Sequence, residues 1–233
     1  MKKMILLAVT AFMIPLTVFA ADFNSDLSTL RKKIIPMCAQ LQAGKPAETQ
    51  DKLISDIDSI ISGWNRITTT YKSNPPAEYS KDPAWAGYFR DVSDNFKSLQ
   101  TMVSRTNYKR AMFFCGVNCG IFVNINQVNG IKKVSDVMFM LRKNAKQMMD
   151  MINAGNWTGA GHVREHTVEM IEALGTFKVP AGMEKNAFEN DLNAVKTAYA
   201  DFVKTIETKD QAAAKEKLGL FLKTFGPVYS RYL

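Results

Sequence analysis

The chain has 233 residues, 46% of them hydrophobic, and its 30 Lys and Arg outnumber 22 Asp and Glu to leave a formal net charge of +8. The basic residues stand in short groups, Arg31 to Lys33, Lys109-Arg110, Lys132-Lys133 and Arg142-Lys143. No group forms a dense run, which excludes a nucleic-acid-binding patch and reads as solvated helix faces or as a weak preference for acidic partners or anionic surfaces.

The first twenty residues read as a secretory signal peptide. Lys2 and Lys3 give a positive start, Met4 to Phe19 an apolar run, and Val18-Phe19-Ala20 a small-residue cleavage site. The competing reading is an uncleaved anchor, for which the run is short. Cleavage after Ala20 would leave a mature chain of net charge +6. No later stretch is expected to insert stably in a bilayer, so the mature protein is expected to be soluble and exported, to a bacterial periplasm in the first instance.

Leu30-Arg31-Lys32, Met37-Cys38, Leu41 and Ala43-Gly44 return 111 positions later as Leu141-Arg142-Lys143, Met148-Met149, Ile152 and Ala154-Gly155. A fixed period marks one supersecondary unit used twice, and places where equivalent residues differ are where function should sit. Apolar spacing of three and four predicts helices throughout. In the first copy the stripes are Leu53, Ile57, Ile60, Trp64, Ile67 and then Phe89, Val92, Phe96, Leu99, Val103. In the second they are Phe188, Leu192, Val195, Tyr199, Phe202, Ile206 and then Leu218, Leu222, Phe225, Tyr229, Tyr232. Breakers at Gly44-Lys45-Pro46, Asn74-Pro75-Pro76, Thr106-Asn107, Asn129-Gly130, Gly155-Asn156, Pro180-Ala181-Gly182 and Lys209-Asp210 separate them. Pro36 is expected to kink the first helix. Short connections favour antiparallel neighbours, so the expected fold is all-α, with two tandem up-down-up-down four-helix bundles over 21–130 and 131–233 after a signal peptide over 1–20.

Ala212 to Ala214, Leu218 and Tyr229-Ser230-Arg231-Tyr232 resemble the last helix of the periplasmic four-helix cytochromes, the soluble b-type cytochrome and cytochrome c-prime. The export signal, copy length and helix order agree with a degenerate tandem duplication of that fold. The resemblance implies a haem site and electron transfer. Ser230 stands near the place of the b-type histidine ligand, and Cys115-Gly116-Val117-Asn118-Cys119 is one residue wider than the c-type Cys-x-x-Cys and lacks its histidine.

Cys38, Cys115 and Cys119 are the only cysteines. Helical rise places Cys38 about 9 Å and Cys115 about 12 Å from the same end of the first unit, which makes them the best disulfide pair. The alternatives are a three-thiolate site for Cu(I) or Zn(II), or haem c bound through Cys115 and Cys119. Aligning Leu218 with Cys115 puts apolar core in the second copy where the first has sulfur. His162 and His166 are the only histidines and lie four apart on one face, continued by Met170, with Met149 in a methionine cluster near the preceding turn. Imidazole with thioether suits a soft metal such as copper, although His-x3-His is also common on solvated helices.

No nucleophile elbow, phosphate loop or paired-carboxylate motif is present. The expected function is therefore a non-enzymatic exported binding or carrier protein on a cytochrome-like scaffold, for a soft metal ion or small flat ligand. A divergent c-type haem protein and a structural, partner-binding protein braced by a disulfide are the alternatives. An acidic protein or a second copy of the chain are the possible partners.

Overall fold

The computed structural model describes residues 22–42, 44, 46, 49–180 and 182–233. The signal-peptide segment expected over 1–20 lies outside the described residues. Among the described residues there are eight α-helices and no strand: α1 (Phe23–Gln42), α2 (Gln50–Tyr71), α3 (Trp85–Ser104), α4 (Tyr108–Val128), α5 (Val134–Asn153), α6 (Trp157–Leu174), α7 (Lys185–Thr208) and α8 (Gln211–Arg231). A short 3-10 turn, Ala77–Tyr79, lies between α2 and α3. Helix α1 continues through Pro36 as one element.

The sequence repeat is also a repeat of backbone geometry. Helices α1 and α5 start and end 111 positions apart. Gly44 (φ 71°) and Gly155 (φ 74°) follow them, both in the left-handed region that glycine enters without steric cost. Thr106 (φ 54°) and Lys209 (φ 52°) end α3 and α7 in that same region. The next residues, Asn107 and Asp210, cap α4 and α8 by accepting from the backbone N–H of Arg110 and Ala213.

Helix packing follows the apolar stripes. In the N-terminal set α1 packs on α2 and α4, and α3 packs on the same two. In the C-terminal set α5 packs on α6 and α8, and α7 packs on those two. Aromatic rings fill the N-terminal core. Trp64 stacks on Phe89, and Phe23 meets Tyr71, Tyr79 and Trp85 edge-on. The indole N–H groups stay satisfied: Trp64 Nε1 donates to Ser93 Oγ (3.1 Å) and Trp85 Nε1 to the Tyr71 carbonyl (2.9 Å).

Helix α4 is set apart by its apolar composition. It has the length and mean hydropathy to cross a membrane, the only described helix that does. Here it packs between α1 and α3, with Cys115, Asn118, Cys119 and Asn126 buried. Part of its apolar surface covers the core of its own set and part lines the junction with α5 and α8, while Phe113 and Val128 stay exposed.

Candidate functional site

The junction between the two helix sets is organised by a buried arginine. Arg31 occupies the apolar stripe of α1 with Leu27, Ile34 and Cys38, and is 2% exposed. Its Nη1 donates to Asp136 Oδ1 (2.9 Å) on α5 and its Nη2 to the Tyr229 hydroxyl (2.9 Å) on α8. The other Asp136 oxygen accepts from Asn126 Nδ2 (2.6 Å) of α4. The Tyr79 hydroxyl bridges Asn126 Oδ1 and Asn24 Oδ1, 2.8 Å from each. Lys133 Nζ donates to the same Asn24 oxygen. Burial opposes the charge on Arg31, but Tyr229 and Asp136 more than offset it and hold the guanidinium protonated. Burial pushes the Tyr229 hydroxyl up to about 12. Arg31 was grouped with solvated basic faces in the sequence, and the structure corrects that reading.

Lys133 meets Asn24 near one end of α1, and Arg142 Nη2 donates to Gln42 Oε1 (2.9 Å) at the other. Side chains of α1 and α5 therefore meet at both ends of α1. Between these contacts α1, α4, α5 and α8 enclose a cleft of about 370 Å³. Its wall is mainly apolar, with Ile35, Met112, Phe139, Leu222 and Phe225, and Arg142 and Ser230 supply polar groups. Such a volume and lining suit a small organic molecule. Small residues make the space. A Cβ built at Gly116 or at Gly226 meets no atom within 4 Å, so these glycines line open room and are not pressed against a neighbouring backbone. Pro36 of α1 lines the cleft, and Pro227 of α8 follows Gly226; each removes one helical N–H donor beside the opening.

Cys38 and Cys115 form a disulfide with Cα atoms 6.0 Å apart, and both line the cleft. This is the pairing the helical levels favoured. Cys119 is a buried free thiol one turn further along α4, on the same wall. Burial pushes its thiol up in pKa, against the opposing pull of Arg31 and Arg142. With two of three sulfurs bonded to each other, Cys38, Cys115 and Cys119 offer no three-thiolate set in this state. Cys115 is likewise not available with Cys119 for haem attachment.

The second-copy residues do not converge either. His162 and His166 are exposed on α6, where His162 Nδ1 lies 3.7 Å from Glu165 Oε2. Met149 is buried in the core, and the Met170 sulfur accepts from Asn144 Nδ2 (3.7 Å). Among the described residues no group of three or more His, Cys, Asp or Glu side chains is placed to hold a metal. Ser230 Oγ donates to the Gly226 carbonyl (3.1 Å) at the rim of the cleft. No imidazole lines that cleft. No family model, curated protein or solved structure matches the chain.

Proposed function

We propose that this is a non-enzymatic, exported binding or carrier protein for a small, largely apolar molecule, built from two tandem up-down-up-down four-helix bundles over 21–130 and 131–233. The observation that carries the reading is the cleft of about 370 Å³ formed jointly by α1, α4, α5 and α8. An apolar hollow of this size between packed helices forgoes dispersion contacts and burial that close packing would supply. Glycines at positions 116 and 226 maintain it. The Arg31–Asp136–Tyr229 network fixes the spacing of the walls, because a misaligned junction would leave a buried charge unpaired. The signal-like segment at the start of the sequence supports export, and the Cys38–Cys115 bond suits an oxidising compartment.

The test is titration with the neutral fluorescent probe N-phenyl-1-naphthylamine. One equivalent binds with a rise in emission, and Gly226→Leu, which fills open space, abolishes binding while preserving the helical circular dichroism. Absence of saturable binding, or unchanged binding in Gly226→Leu, contradicts the reading. The disulfide favours one second reading, a structural protein braced at α1 and α4; the same titration separates it, since a brace needs no ligand.

A further inference from the structure

We infer that the cleft takes a small anionic amphiphile, a single-chain acid whose head group sits at Arg142 and whose apolar body lies among Met112, Phe139, Leu222 and Phe225. The inference rests on the proposed binding function and names the class of ligand. It comes from comparing the two copies. Arg31 and Arg142 are equivalent in the repeat, 111 positions apart. Arg31 is neutralised by Asp136. The position of the first copy equivalent to Asp136 is Ser25, which carries no charge. Among the described residues Arg142 accordingly has no carboxylate partner, and its side chain donates only to the neutral amide of Gln42.

Arg142 is nevertheless held at the cleft, half-buried. Lys146, one turn further along α5, is also half-buried and has its pKa lowered to about 8, first by burial and then by the Arg142 charge, against the opposing pull of Asp150. A bound acid would offset the Arg142 charge at the cleft wall. The guanidinium fork presents parallel N–H donors that match a carboxylate. The remaining walls are mainly apolar, so a wholly polar anion would leave them unmatched, whereas an acid with a hydrocarbon body covers both.

Binding of decanoate, decanol and decyltrimethylammonium, each below its aggregation threshold and read by displacement of the neutral probe, tests this. Decanoate is expected to bind about 10-fold tighter than decanol, the scale of one charge-assisted hydrogen-bonded contact. Arg142→Gln should erase that difference, and Arg142→Lys should keep part of it. Equal affinity for decanoate and decanol, or tighter binding of the ammonium compound, overturns the inference and leaves the apolar-ligand reading standing. Failure of both decanol and decanoate to bind removes the reading and the inference together.

Discussion

Arg31 is the residue on which the junction turns. Removing one partner of a buried, hydrogen-bonded ion pair strands the other, at a cost of about 3–5 kcal/mol. Arg31→Met is therefore expected to destabilise the protein by that amount in urea unfolding. The double variant Arg31→Met with Asp136→Leu should recover part of the loss, because neither charge is then buried alone. Equal losses in the single and double variants would contradict this account. The sequence carried the signal for Arg31: positions 27, 31, 34 and 38 share one face of α1, and Arg31 interrupts an otherwise apolar stripe. Its partners were not legible. Asp136 and Tyr229 lie 105 and 198 positions away, and periodicity reports faces, not which faces meet. Thr106 offers a smaller test. A β-branched residue at φ 54° is strained, so Thr106→Gly should raise stability by about 0.5–1 kcal/mol. A loss of that size would show that the local conformation is not as described.

At the scale of elements, the repeat made the helices readable. The interval between Leu30 and Leu141 is also the interval between the boundaries of α1 and α5. The Cys38–Cys115 pair was legible for the same reason, since helical rise sets the level of each residue along its axis. The bond closes a separation of 77 residues, and the chain-entropy treatment gives about 4 kcal/mol of stabilisation for a loop of that size. Reduction, or Cys38→Ala with Cys115→Ala, is expected to lower stability by that order while Cys119 stays free. Full retention of stability on reduction would contradict the brace. What the elements concealed was the cleft. Cys115 and Cys119 suggest metal or haem chemistry as a short motif, but their setting comes from four helices distributed over both halves of the chain.

For the whole molecule, pH reports how the buried groups are held. Lys146 has a folded pKa near 8 against an ordinary 10.5, and burial also lowers Lys133. Between pH 8 and 10.5 the unfolded chain holds a proton on Lys146 that the folded chain has released, so this group makes stability rise with pH across that window. Burial raises Tyr79, Tyr199, Tyr229 and Tyr232 to about 12. Above their ordinary value of 10.0 the unfolded chain ionises first, and stability falls. From pH 7.5 to 9.5 urea midpoints should therefore gain relative to those of Lys146→Gln, while Cys119, raised by burial, works in the opposite direction, and both proteins should lose stability by pH 11. An identical profile in the variant would show that Lys146 is not held as described.

The space between the helix sets is proposed to receive a ligand. Methyl spectra of 13C-methionine-labelled protein titrated with decanol test it most directly. Met112 lines the cleft, whereas Met138 and Met148 are fully buried away from it. A saturable shift of the Met112 methyl, with Met138 and Met148 unmoved, is the predicted result. A Met112 signal unchanged at saturating decanol, or shifts confined to other methionines, would contradict the account.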